Sequence, residues 1–354
     1  MDDYASLLKK YINVVAHEGA SDLHFSTGAH PTIRVSGNLV PMLKEPVLTP
    51  EDTLGFSKAL LTPEQEKQFL ASREFDFAYE SEEGYRFRGN TFFQRSAVGI
   101  ALRLIPKKIR TIQELNLPDI LLTFARKAQG FFVVVGPVGQ GKTTTLAALI
   151  ELINTERMEH IVTVEDPIEY IFEPKQSLID QREVGIDTKD FATALQSAFR
   201  EDVDVILVGE MRGPETMSAA VTAAETGHLV FSTLHTNDAA QTIDRIIDSF
   251  PASQQDQIRL QLASSLAGIF SQRLLPRISG GLIPAYELLI NTKAVGNLIR
   301  EKRTHEVPTV IETGSTEGMI DLNRSLAELV ARGEITPETA FEYSLNPNVL
   351  QKLL

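Results

Sequence analysis

The 354-residue chain is 43% hydrophobic and 23% charged, the balance of a packed protein, which excludes a disordered or fibrous chain and leads us to expect two modules at roughly 150 residues each. With 34 Lys and Arg against 47 Asp and Glu, the net charge of −13 disfavours a broad nucleic-acid footprint, and no nucleic acid is expected as a partner. The absence of cysteine removes disulfides, thiolate metal sites, thiol catalysis and iron–sulfur clusters together.

The N-terminal stretch opens acidic and has no long apolar run, so neither a secretory signal nor a mitochondrial presequence is expected. No segment reaches the ~18 uninterrupted apolar residues of a membrane span, which predicts a soluble protein, at most peripheral to a membrane. Residues 1–105 read as a small α+β domain. Leu7, Leu8, Tyr11, Ile12 and Val15 recur at helical spacing, with Gly19 as a stop. Ile33–Ser36 and Leu39–Met42 flank Gly37-Asn38, a pair suited to the φ > 0 positions of a hairpin turn. Tyr85–Phe93 and Val98–Ile105 also read as strands, giving an antiparallel sheet with helices.

Residues 106–118 hold two prolines around a basic cluster and predict an interdomain linker. Residues 119–354 then show four short apolar runs, Phe131–Val135, Ile161–Val164, Val205–Val208 and Leu229–Phe231, separated by helical stretches. Near-continuous apolar runs alternating with helices predict an α/β domain with a parallel sheet covered on both faces. From about Leu262 the strand runs give way to what reads as helix, over Gln257–Leu275 and around Leu298–Arg303, so a helical C-terminal appendage is expected.

The strongest chemical signal is Gly136-Pro137-Val138-Gly139-Gln140-Gly141-Lys142-Thr143, which follows the first apolar run and precedes a helix opening at Thr144. Gly136, Gly139, Gln140 and Gly141 turn backbone amides toward a polyphosphate, and the new helix aims its positive end at the same place. Lys142 neutralises β/γ charge, and Thr143 supplies a hydroxyl for Mg²⁺ beside Thr144. The predicted cofactors are therefore a nucleoside triphosphate and Mg²⁺.

Ligands of open parallel sheets sit at the carboxyl edge, and each remaining run ends there in a polar group. Ile161–Val164 leads to Glu165-Asp166-Pro167-Ile168-Glu169, Val205–Val208 to Gly209-Glu210, and Leu229–Phe231 to His235, with His228 at the other end of that run. Glu210 is the metal-side carboxylate candidate, although the usual residue there is aspartate. Spacing leaves Glu165, Asp166 and Glu169 in competition to orient the attacking water. Positive charge for the transition state is sought in Arg200 and Arg212, or in Arg86, Arg88 and Arg103 on the N-terminal strands.

Taken together these motifs resemble the type II/type IV secretion ATPase superfamily, and within it the pilus retraction ATPases. The resemblance runs from Ser21-Asp22-Leu23-His24 through Arg86-Phe87-Arg88 and Arg103 to the phosphate loop, then through Glu165–Glu169, Arg200-Glu201-Asp202, Ile206–Arg212, Ala223–His228 and Thr233–Thr236. It implies a RecA-like P-loop ATPase domain behind a PAS-like N-terminal domain, with ATP and Mg²⁺ as cofactors. It makes Glu169 the catalytic glutamate, Glu210 the atypical Walker B residue that joins Thr143 at the metal, Arg88 and Arg103 the arginines that reach nucleotide, and His228 and His235 the His box.

It further implies a homohexameric motor at the cytoplasmic face of the inner membrane, acting through the pilus platform protein to disassemble pilin and drive twitching motility. Assembly and type II secretion ATPases usually carry a longer N-terminal region and a four-cysteine zinc loop; with no Cys and little length before its first domain, the sequence leads us to expect neither of these. Ala294-Val295-Gly296-Asn297-Leu298-Ile299-Arg300-Glu301 is similar to the AIRNLIRE motif of retraction ATPases, with Val295 and Gly296 substituted. Those substitutions keep an accessory retraction paralogue, or another divergent member of the secretion ATPase superfamily, as the alternative. A nucleic-acid translocase and a nucleotide-controlled scaffold are the alternatives of a different class.

Overall fold

The computed structural model describes residues 4–35 and 37–354; residues 1–3 and Ser36, the expected end of a hairpin strand, lie outside the described residues. The chain divides into two units, Met1–Lys108 with Pro167–Ile171, and Ile109–Asp166 with Phe172–Leu354. The first break falls inside the expected linker 106–118. Residues 109–118 belong to the second unit, with Ile112 and Leu117 buried and a reciprocal Thr111–Glu114 pair closing a turn (2.9 and 3.1 Å). Residues 167–171 group with the first unit although their neighbours in sequence do not.

In the first unit the amphipathic helix Tyr4–His17 buries Leu8, Tyr11, Ile12 and Val15, and the chain leaves it through Gly19 at φ +61°. Strands β1 (Asp22–Ser26), β2 (Thr32–Val35), β3 (Asn38–Pro41), β4 (Glu74–Glu80), β5 (Arg86–Gln94) and β6 (Ala97–Ile105) pair antiparallel in the order β3-β2-β1-β6-β5-β4. Gly37 takes φ +85° as the hairpin requires, but Asn38 already pairs with Val35 inside β3 rather than sitting in the turn. Helices Pro50–Leu60 and Pro63–Ser72 each start on a capping box, Thr49 with Asp52 and Thr62 with Gln65, behind a first-turn proline. They close a core in which Phe25 stacks on Phe56 at 4.5 Å.

The second unit is built on β7 (Gly130–Val135), β8 (His160–Glu165), β9 (Leu178–Glu183), β10 (Val205–Val208), β11 (Leu229–Leu234), β12 (Leu266–Pro276) and β13 (Leu282–Ile290), in the order β13-β12-β7-β11-β10-β8-β9. All neighbours are parallel except β12 and β13. Every residue of β7, β10 and β11 is buried, which is why these runs show no polar alternation. The four expected runs fall on β7, β8, β10 and β11.

One helix over Gln257–Leu275 is not what forms. Helix Ala252–Ser265 stops, and Leu266 opens β12 between β7 and β13. The segment is rich in Leu, Ala, Gln and Arg, which favour helix, and burial on both faces erases period-2 patterning, so pairing overrides local preference. The helical appendage begins later, with Lys293–Arg300, Val307–Thr313, Leu322–Ala331, Pro337–Tyr343 and Pro347–Leu353. The last three share a small separate core with the β12–β13 hairpin, around Leu275, Ile283, Leu326, Leu329 and Leu350. Gly296 lies on the buried face of helix Lys293–Arg300, where a Cβ would come within 3.2 Å of the Ala263 carbonyl oxygen.

Candidate active site

β7 hands the chain to Gly136, and helix Lys142–Glu156 starts on Gly141. Both glycines are demanded by space and by conformation. Gly136 sits at φ +144°, where a Cβ would lie 2.5 Å from the Gln272 carbonyl oxygen; Gly141 sits at φ +80°, where a Cβ would lie 3.0 Å from the Gln272 side-chain nitrogen. The loop leads into the first turn of a 15-residue helix, whose leading amides have no intrahelical acceptor and so favour an anion. Thr143 and Thr144 lie in that turn. Lys142 is buried, and its Nζ donates to the carbonyls of Gly136 and Pro137, both at 2.9 Å.

Glu210 stands just beyond β10 on a turn held from both sides. The Gly209 amide donates to the Val164 carbonyl (2.8 Å), and the Thr233 hydroxyl of β11 donates to the Gly209 carbonyl (2.7 Å). Two residues past Thr233, His235 lies with Nδ1 3.3 Å from Lys142 Nζ and Nε2 3.7 Å from Glu210 Oε2. The imidazole therefore spans the loop lysine and the strand-end glutamate. Glu210 also pairs with Arg212; that bond holds the guanidinium above its ordinary value against the effect of burial, with Asp166 adding to it. Glu210, Arg212, Thr233, His235, Gln241 and Arg245 line a cleft of about 500 Å³.

The three competing carboxylates after β8 fall in different surroundings. Glu165 is buried and accepts from the Thr163 hydroxyl (2.7 Å) and the Gln181 amide (3.4 Å). Asp166 acts on Arg212. Glu169 belongs to the first unit, where its Oε1 lies 3.8 Å from Arg88 Nη1. Arg103 is the direct cross-strand neighbour of Arg88 and donates Nε to Asp22 Oδ1 at 2.9 Å. Burial alone would raise the Asp22 carboxyl, but the Ser21 hydroxyl and the Arg103 guanidinium outweigh it and hold the group below the usual range. Arg86 lies 3.8 Å from Glu80.

The structure does not bring His228 beside Lys142, Glu210 and His235. It precedes β11, at the end of the strand remote from His235, where its Nδ1 lies 2.9 Å from the Ala223 carbonyl and its backbone amide donates to the same oxygen (3.1 Å). Its ring meets Phe199 edge-on, so in this chain it finishes helix Pro214–Glu225.

Among the described residues no group of three or more His, Asp or Glu is placed to hold a metal ion alone. The Thr143 hydroxyl and Glu210 carboxylate are nevertheless hard oxygen donors, the set that suits Mg²⁺ shared with phosphate oxygens and water. The sequence reading missed Gln272, Arg273 and Asn237, which border the same loops. The one available signal was a polar triplet, Ser271-Gln272-Arg273, interrupting the apolar run Leu266–Leu275.

A family model described as "Type II/IV secretion system protein" matches residues 3–281. The chain is 44% identical over 332 residues to the "Type IV pilus retractation ATPase PilT" of Pseudomonas aeruginosa, spanning 94% of this chain and 96% of that protein. It is 38% identical over 347 residues to the "Type IV pilus ATPase PilU" of the same organism, spanning 98% and 91%. A crystal structure of the pilus retraction motor PilT with bound ADP matches with a TM-score of 0.91 at 45% identity, covering 97% of this chain and 98% of that one.

Proposed function

This chain belongs to the type II/IV secretion system protein family, and from that premise we propose that it is an ATP-hydrolysing motor that powers retraction of type IV pili. Similarity to a retraction ATPase over nearly the whole length of both chains supports the reading, as does the fold shared with an ADP-bound retraction motor. The observation that carries it is the His235 ring lying between the Lys142 ammonium and the Glu210 carboxylate at the edge of the phosphate loop.

In the proposed reaction Lys142 exchanges its two backbone carbonyls for β- and γ-phosphate oxygens, and the loop amides fix the chain of phosphates. Thr143 and Glu210 would hold Mg²⁺, which when bound neutralises charge developing on the phosphates. Arg212, already bonded to Glu210, keeps that carboxylate in place. The resemblance gives Glu169 the role of orienting the attacking water, and Arg88 and Arg103 that of adding positive charge. His235, within reach of Lys142, registers whether the lysine is engaged. The motor works as a homohexamer on the cytoplasmic face of the inner membrane and acts on the pilus platform protein. The Val295 and Gly296 departures leave room for a second reading, an accessory retraction motor of the PilU kind, to which the chain is also similar over nearly its whole length.

Steady-state turnover and nucleotide binding test the proposal. Lys142→Ala is expected to lose nucleotide binding with its unfolding midpoint kept, and Glu169→Gln to bind nucleotide within a few-fold while turnover falls about 10²-fold or more. A wild-type chain that binds ATP without hydrolysing it would make the protein a scaffold, and turnover that depends on DNA would make it a translocase. In cells, loss of the protein should leave pili that extend but do not withdraw.

A further inference from the structure

Strand β12 reaches the phosphate loop with side chains the proposed reaction does not use. Gln272 is almost fully buried at 3% exposure, and both ends of its amide are engaged. Nε2 donates to the Gln140 carbonyl at 2.8 Å, and Oε1 accepts from the Thr145 hydroxyl at 2.7 Å. Gln140 answers with its own side chain, whose Oε1 accepts the Leu274 amide proton at 2.6 Å. The next residue, Arg273, donates Nη1 to the Gln272 carbonyl (2.9 Å) and Nη2 to both oxygens of Asn237 (3.0 and 3.1 Å). Ser271 donates to the Asn237 carbonyl as well (2.7 Å). Consecutive residues of one strand thus grip the phosphate loop and the segment just beyond His235.

We propose that Gln272 is a positioning residue that sets the orientation of the Gln140–Gly141 peptide and thereby prepares the loop for a nucleoside diphosphate. A trans peptide is planar, and its C=O and N–H point in opposite directions. Holding the Gln140 carbonyl against β12 therefore turns the Gly141 N–H to the side of the loop away from β12, where an anion can accept it. If that peptide turned over, it would present a carbonyl oxygen to a phosphate oxygen, which repels. The Thr145 bond fixes the amide of Gln272 so that nitrogen, not oxygen, faces Gln140. Because the gripped peptide lies in the segment that binds substrate and product alike, losing the grip weakens ATP and ADP together. It raises KM and leaves kcat nearly unchanged, the mark of uniform binding.

The inference rests on the nucleotide reading of the loop, and Mg²⁺·ADP binding to the full chain separates the two. Gln272→Glu keeps the acceptor for Thr145 and removes the donor to Gln140. Its Kd for Mg²⁺·ADP at pH 8 is expected to rise about tenfold or more, and the defect to shrink near pH 5.5, where a protonated carboxyl regains an O–H to donate. Thr145→Val should weaken binding at least threefold, and Thr145→Ser, which keeps the hydroxyl, should restore it to within twofold of wild type. If Gln272→Glu does not fold, the Thr145 pair decides: equal affinities for Val and Ser overturn the proposal. It is equally overturned if Gln272→Glu binds within twofold of wild type at pH 8, or if the variants lose unfolding midpoint while the folded protein binds normally. A wild-type chain with no affinity for Mg²⁺·ADP would instead sink the nucleotide reading, and this inference with it.

Discussion

Replacing Glu287 with Gln removes one titration from the structure while keeping the shape and the acceptor. Glu287 lies on β13 and accepts the Ala239 amide proton at 2.8 Å, at the start of the helix that follows the His235 segment. Burial pushes its carboxyl from 4.5 up to about 7; Asp238 and Asp321 push the same way, while the Ala239 amide and Arg273 pull back. In the unfolded chain the group titrates at its ordinary value. Below that value both states hold the proton and the site is neutral to stability. As pH rises through the window from 4.5 to about 7 the unfolded chain gives up its proton first, so the wild type loses stability, and above about 7 the loss is complete. The full interval is worth about 3 kcal/mol, an upper figure because water and relaxation near the carboxylate reduce it. Glu287→Gln escapes this loss. Urea or thermal unfolding of both proteins should show a gap under about 1 kcal/mol at pH 5 that widens to about 1–3 kcal/mol in favour of Gln at pH 8.5, or several degrees in midpoint for a unit of this size. A gap that stays constant with pH, or a variant that is less stable at pH 8.5, would refute the reasoning.

Two further outcomes are open to direct measurement. Gly136→Ala places a methyl 2.5 Å from the Gln272 carbonyl in a backbone region closed to alanine, so it should cost about 2–3 kcal/mol in unfolding experiments and depress nucleotide binding; a variant of wild-type stability would contradict the packing described. Burial pulls the His160 imidazole down, but Asp180 at 2.9 Å and the carbonyls of Asp202 and Glu201 outweigh it and raise the group. Asp180→Asn should therefore lower the His160 pKa seen by NMR and cost under about 1 kcal/mol below pH 6.5, an effect that fades as pH rises through the folded-state pKa.

How much of the fold was legible follows from how each strand is buried. β7, β8, β10 and β11 are interior strands of Val, Ile, Leu and Phe between turn signals, and the first helix has one apolar stripe; both patterns survive in the sequence alone. β9 exposes Leu178 and carries Asp180, Gln181 and Arg182 on partly open faces, so nothing in it marks a strand until it pairs with β8. The first break between units, after Lys108, falls inside the expected linker 106–118. Pro106 and Pro118 suggested a free linker, but Ile112 and Leu117 are core residues, and the return of 167–171 to the first unit is a long-range event that no local pattern encodes.

The site was legible wherever chemistry fixes the residue type and illegible wherever it fixes only the geometry. A phosphate needs a lysine, a metal needs an oxygen, and these stand out at strand ends, so Lys142, Thr143, Glu210 and His235 are the candidates that position alone names. Spacing could not separate Glu165 from Asp166 and Glu169, because their differences lie in the Thr163 and Gln181 bonds to the first, the Arg212 field on the second and the Arg88 contact of the third. Gln272 was hidden for a stronger reason. A buried glutamine inside a leucine-rich stretch is a flaw in a helix, but it becomes necessary once that stretch is a strand beside β7, since only then do the Gln140 carbonyl and the Thr145 hydroxyl lie on either side of its amide. The misread helix over 266–275 and the overlooked loop support are therefore one error. The same pairing that turns these residues into a strand gives their polar side chains something to hold.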